Sequence, residues 1–218
     1  MNNPYIYADK AIKLLNKKAV KRFLAAERRL NLAGFDELNV ISVCKELYEN
    51  LRNDNLSAYE STAKAAYRQA GGEVLDYLIF RLWLEEEILE KPSPVTNYIY
   101  KNEVARKRDR LIEAVNAQGS RQAGTGNASP KNSLEFRRAL RYWADMTAQY
   151  ADIVTDEAML KAYRDQGIRY VRWRTEGGER VCSVCRPRDG KVYPVEEAPP
   201  KAHWRCRCWY EPVKRSGG

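Results

Sequence analysis

Between Trp173 and Tyr210 the chain carries four of its five cysteines and its only histidine. Cys182 and Cys185 form a C-x-x-C; His203, Cys206 and Cys208 form an H-x-x-C-x-C. Thiolates and an imidazole in two short knuckles are the donor set of a tetrahedral zinc site, in which a C-x-x-C turn brings two sulfurs onto one ion and a second knuckle closes the tetrahedron. Five candidate ligands, Cys182, Cys185, His203, Cys206 and Cys208, compete for four positions. Spacing alone leaves the second pair open. On a strand, Cys206 and Cys208 would share a face, so both could reach one ion. The large apolar residues around these clusters are few, and a metal staple would help so thin a core hold one shape.

Three other readings compete. A disulfide clip between the clusters requires an oxidising compartment. A redox C-x-x-C normally sits in a βαβ pattern, which is not seen here. A Cys–His catalytic pair would use the same histidine that the metal reading consumes. The sequence contains no phosphate-binding loop, H-E-x-x-H or G-x-S-x-G motif.

The blocks Glu179-Arg180-Val181-Cys182-Ser183-Val184-Cys185, Asp189-Gly190-Lys191-Val192-Tyr193, Pro199-Pro200 and His203-Trp204-Arg205-Cys206-Arg207-Cys208 occur in that order. In this order the segment 134–212 resembles the C-terminal domain of phage Mu F-like minor head proteins, the phage head morphogenesis family. Where that family often has Pro-Asn after the histidine, this chain has Trp204-Arg205, and Asp145-Met146-Thr147 stands roughly where the family often has Arg-Thr-Glu. The helical first half, notably KPSPVTNYIYKNEVARKRDRL, is similar to minor head proteins of tailed phages. The resemblance implies a non-enzymatic assembly protein that docks on the portal or the inner surface of the major capsid protein. Double-stranded DNA is a further contact in that picture, and neither a membrane nor a small-molecule substrate is involved. It also implies residence in the host cytoplasm during assembly and then in the virion.

The chain has 218 residues, a formal charge of +9 and a pI near 9.3. A basic balance favours polyanions or acidic protein surfaces as partners. No run of 18 apolar residues occurs, so no transmembrane helix is expected. The start, MNNPYIYADKAIKLL, lacks a signal-peptide core, which predicts a cytosolic product. Cys44 sits in an apolar pattern and reads as a small buried residue.

The elements that position the cluster are mostly helical. Apolar spacings of three and four predict a helix over 5–31, a second from Glu37 to about Leu51, and a third ending at Gly71-Gly72, with Asn53-Asp54-Asn55 as the break between them. Residues 73–90 form the most apolar helix, anchored by Phe80 and Trp83 and including Val74 and Leu75. Lys91-Pro92-Ser93-Pro94 stops it. Thr96 or Asn97 caps a helix to about Ala117 carrying Lys101, Arg106, Lys107, Arg108 and Arg110. Asn132 or Ser133 starts another, with Arg137, Arg138 and Arg141, and Thr155-Asp156-Glu157 starts a last one ending at Gly167. These eight cations read either as solvated helix faces or as contacts to DNA phosphates or an acidic ring surface. Beyond Gly167 the period changes to two. Ile168, Tyr170 and, more loosely, Val171 and Trp173 predict a strand, Glu176-Gly177-Gly178-Glu179 a turn, Asp189-Gly190 a hairpin, and Trp209-Tyr210 a last strand. Lys214 to Gly218 is expected to fray.

The expected architecture is α+β, mostly α: a helical domain over 1–118, a flexible linker or loop over 119–131, and a Mu F-like C-terminal domain over 132–218 with a zinc knuckle at 166–212. Two alternatives to the head-protein expectation remain. A zinc-stabilised DNA-binding module would use the same basic helices. A toxin or nuclease would need a catalytic group that the motifs do not supply.

Overall fold

The computed structural model describes residues 4–73, 77–122, 131–177, 181–203 and 206–213. Val74, Leu75, Gly178, Glu179, Trp204, Arg205, the end from Lys214 that was expected to fray, and residues 123–130 of the expected linker lie outside the described residues. Among the described residues five α-helices come first: α1 (Ile6–Ala33), α2 (Glu37–Gln69), α3 (Tyr77–Leu84), α4 (Tyr100–Gln122) and α5 (Lys131–Asp165). A three-stranded antiparallel sheet follows, built from β1 (Tyr170–Arg174), β2 (Val192–Pro194) and β3 (Trp209–Pro212) in the order β2-β1-β3. The fold is therefore α+β and mostly α, with the Cys/His cluster beside the small sheet.

The chain divides into two compact units, one from residues 12–58 and 100–147 and the other from 1–11, 59–99 and 148–218. In the first, Phe23, Tyr48, Phe136 and Trp143 form a chain of edge-to-face aromatic contacts with ring centroids 5.5–6.4 Å apart. Burying large rings in offset geometry is the main source of cohesion in so small a core. Cys44 is fully buried among these residues, and burial pushes its thiol up to about 12. Truncating the fully buried Trp143 to alanine removes the ring at the end of that chain, against Tyr48. The expected loss is about 3–5 kcal/mol of unfolding free energy; a denaturant midpoint equal to that of the parent protein would contradict this packing.

Two predicted helix breaks are absent. Asn53-Asp54-Asn55 lies inside α2, because the polar side chains find partners within the unit. Asp54 accepts from Arg22 Nε at 2.5 Å and Lys18 Nζ at 3.2 Å, and buried Asn55 donates to Thr147 Oγ1 at 3.0 Å. Likewise α5 runs through Thr155, whose hydroxyl donates to the Ala151 carbonyl one turn back at 2.8 Å instead of capping a new helix. Tertiary partners override local preference at Asn53-Asp54-Asn55, whereas Thr155 is accommodated by a bond within its own helix. Helix α5 begins at Lys131, ahead of the expected caps at Asn132 or Ser133, and α4 begins at Tyr100 and extends to Gln122, past the expected end near Ala117. Helix α3 is short and continues as a π-helical turn, Glu85–Leu89.

In the second unit Phe80 is buried against Tyr67 at 5.3 Å, with Trp83 at 5.1 Å and only partly buried. The inward face of β1 is Val171 and Trp173, both fully buried. The alternation expected from Ile168 and Tyr170 is shifted by one, and Tyr170 faces solvent. The outward Arg172 and Arg174 reach Glu211 across the β1–β3 ladder at 3.8 and 3.4 Å. Trp173 pairs with Tyr210 in register and meets it edge-on at 5.4 Å. The turn at Asp189-Gly190 forms, with Gly190 at φ +77° donating to the Trp173 carbonyl, but it does not join two neighbouring strands. The partner of β2 is β1, and the Cys185 segment is a knuckle ending in a 3₁₀ turn at Arg186–Arg188.

Candidate metal centre

The first knuckle is a backbone-closed turn. Arg186 N donates to the Cys182 carbonyl at 3.0 Å, and Cys185 N lies 3.3 Å from Cys182 Sγ. An amide aimed at a sulfur stabilises its thiolate, so although burial alone would raise it, Cys182 titrates below a free thiol through its contacts with the Cys185 and Val184 amides. The second knuckle turns at His203, whose carbonyl accepts from Cys206 N at 3.3 Å. Cys208 immediately precedes β3.

Folding brings all five donors together. Donor atoms of Cys182, Cys185 and His203 lie within 4.8 Å of one another, as do those of Cys185, Cys206 and Cys208. Cys185 belongs to both sets; its Sγ is 3.8 Å from His203 Nε2 and 3.5 Å from Cys206 Sγ. Zinc–sulfur bonds of about 2.3 Å place neighbouring ligands of a tetrahedron about 3.8 Å apart, so these separations suit a shared ion. A disulfide requires about 2.05 Å, and the described cysteines are free thiols. Cys185, Cys206 and Cys208 are buried, whereas His203 is exposed.

The sulfurs of the cluster differ in their hold on a proton. The Cys208 thiol hydrogen-bonds Cys206 and holds it down to about 4, helped by the Lys201 ammonium. The same contact, together with burial, drives Cys208 far up. Burial pushes Cys185 up to about 12. Protons therefore bridge neighbouring sulfurs that a divalent cation would hold as thiolates. The residues fit a metal such as zinc.

A second polar cluster lies beneath the knuckles. Lys201, 5% exposed, places Nζ 3.2 Å from Asp156 Oδ2 and hydrogen-bonds the Tyr5 hydroxyl. That hydroxyl is 2.8 Å from Asp156 Oδ1 and 2.6 Å from the Cys208 carbonyl. The rings of Tyr5, Trp173 and Tyr210 surround the ammonium at 5.2–5.7 Å. Arg207 lies over Tyr5, donates to Asp9 at 2.6 Å and forms an ion pair with Asp152 at 3.2 Å. Burial raises Asp156 to about 7, against the opposing pull of Lys201 and Tyr5. None of these residues was among the sequence candidates. Lys201 is an unremarked lysine after Pro-Pro, and its partners are too distant in the chain for spacing to reveal.

The basic candidates divide. Arg106 pairs with Glu103 at 3.4 Å and Arg108 with Asp109 at 2.8 Å, while Lys101, Arg137 and Arg141 are exposed on their helices. Lys107, Arg110 and Arg138 line one cleft. Among the described residues no helix is long and apolar enough to cross a membrane. No family model matches the chain, and no curated protein or solved structure does either.

Proposed function

We propose that this chain is a zinc-clamped minor head protein that acts in phage head assembly, docking on portal or inner capsid surfaces, and that it performs no catalysis. The observation that carries this reading is the convergence of the C-x-x-C and H-x-x-C-x-C knuckles beside a three-stranded sheet, in the chain segment whose block order resembles Mu F-like proteins. Cys182, Cys185, His203 and Cys206 are the ligands we favour, because each pair is closed by its own three-residue turn. Cys208 then serves as a thiol neighbour, with its carbonyl fixed by Tyr5. In this reading zinc supplies rigidity. The chain's own residues supply the knuckle turns, the buried Lys201 cluster and the sheet on which they sit.

Co-expression with portal and major capsid proteins from the same phage genome tests the assembly role. Co-purification with portal in a fixed ratio, and density for this chain at the portal vertex of assembled heads, are expected. Heads that assemble and package normally without this chain, together with no association with either protein, would refute it. A DNA-binding module is the second reading, favoured by the grouping of Lys107, Arg110 and Arg138.

A further inference from the structure

Helices α4 and α5 bound a cleft of about 470 Å³ within the 12–58/100–147 unit. That volume falls in the range of small-ligand sites. Lys107 and Arg110 face it from α4, Glu135, Arg138 and Tyr142 from α5, and Tyr48 from α2. Spacings of three, four and seven put each helix's contributors on one stripe, so the grouping is a property of two facing helix surfaces. Three cations stand against one carboxylate. Glu135 is held by Arg138 at 2.7 Å, whereas Arg110 has no carboxylate within ion-pair distance among the described residues. The Lys107 ammonium sits 5.8 Å from the centre of the Tyr142 ring, and burial lowers its affinity for a proton. Glu103 and Asp145 act on it from outside the lining.

Two further features point to a ligand. Tyr48 is 2% exposed, and its buried hydroxyl has no hydrogen-bond partner among the described residues. A buried hydroxyl normally finds a partner, and leaving one unpaired costs about 1–3 kcal/mol. Tyr142, by contrast, is more than half exposed. A cationic cleft with an exposed ring at its margin is the arrangement that binds a phosphate and stacks the attached base.

We propose that this cleft binds one nucleotide unit, either free or within a single strand, with its phosphate among Lys107, Arg110 and Arg138 and its base against Tyr142. An acidic peptide would satisfy the cations but leave Tyr142 without a stacking partner. The site lies wholly in the unit that lacks the Cys/His cluster. Its failure therefore leaves the metal and head-assembly readings standing, and theirs leaves this one standing.

The test uses the full chain, purified with its metal, and a fluorescent oligothymidylate of twelve nucleotides. Binding is expected to weaken with salt at a logarithmic slope of about −0.7, as for one neutralised phosphate on a single strand. Arg110→Gln should weaken binding and flatten that slope toward zero. Tyr142→Ala should weaken binding about tenfold, the effect of losing one stacked base. Lys101→Gln with Arg141→Gln, exposed cations outside the cleft, should leave affinity within about twofold. Thymidine monophosphate should displace the strand where thymidine does not, which identifies the phosphate as the anchor. Saturable binding of thymidine monophosphate without affinity for the strand would assign the cleft to free nucleotides. Equal losses from the outside pair and from Arg110→Gln would overturn the proposal. So would insensitivity to Tyr142→Ala, displacement by thymidine alone, or no binding of either probe.

Discussion

Chelation of the proposed metal is expected to loosen residues 173–212 and to leave most of the helical far-ultraviolet signal in place. The five candidate donors belong to the unit that holds β1 and β3, whereas the Phe23–Tyr48–Trp143 core of the other unit contains none of them. One zinc per chain is the expected stoichiometry by elemental analysis. Cys185→Ala removes the sulfur common to both donor sets and should abolish stoichiometric zinc. Structural zinc sites in finger peptides carry apparent binding free energies of about 10–16 kcal/mol. Even the fraction of that coupled to folding here should make Cys185→Ala several times more costly than Cys44→Ala. Cys44 is a small hydrophobe in a packed core, and its loss belongs with ordinary core truncations of about 1–3 kcal/mol. Cys206→Ser should lose the metal while Cys208→Ser keeps it. Identical melting with and without chelator, combined with no zinc in the purified chain, would remove the metal from the account.

The second large effect is at Lys201. Its pair with Asp156 is almost wholly buried, so Lys201→Met strands a carboxylate in an aromatic surround. Breaking one side of such a pair costs about 3–5 kcal/mol, whereas replacing both sides with apolar residues is often neutral or better. Lys201→Met is therefore expected to be strongly destabilised, and adding Asp156→Leu should recover most of the loss. A double variant no better than the single would show that the pair does not act as a unit. The pH dependence has a definite sign. Burial raises Asp156 from the ordinary 3.8 to about 7, so the folded state holds a proton that the unfolded chain releases. The Asp156 contribution is fully present below about pH 4 and is lost as pH rises through about 7. Asp156→Asn should flatten that part of the stability profile; an unchanged slope would mean that the carboxylate is ionised throughout.

Much of the fold was legible because it depends on short-range pattern. The period of α1, the apolar run of α3, the Lys91-Pro92-Ser93-Pro94 stop ahead of α4, the change to alternation after Gly167 and the closing strand at Trp209-Tyr210 all follow from residues a few positions apart. The failures have a common cause. Asn53-Asp54-Asn55 and Thr155 carry genuine helix-breaking preferences, yet α2 and α5 pass through them because Lys18, Arg22, Thr147 and the Ala151 carbonyl take up the polar groups. On β1 the alternation was visible but its phase was not. Two aromatic candidates, Tyr170 and Trp173, sit on opposite faces, and only the pairing of Trp173 with Tyr210 selects the buried one.

The sequence by itself determined the donor set. Two cysteines three apart, and a histidine with two cysteines inside six residues, can meet through local turns whatever the rest of the chain does. Tertiary structure decided that Cys185 is the sulfur shared by both groups, that Lys107, Arg110 and Arg138 face one cleft while the other basic candidates do not, and that Lys201 is buried. The Tyr5–Asp156 and Lys201–Tyr5 contacts span 151 and 196 positions. Over such separations the chain between two residues carries no local signal of their meeting, and only the packing of whole elements brings them within hydrogen-bonding range.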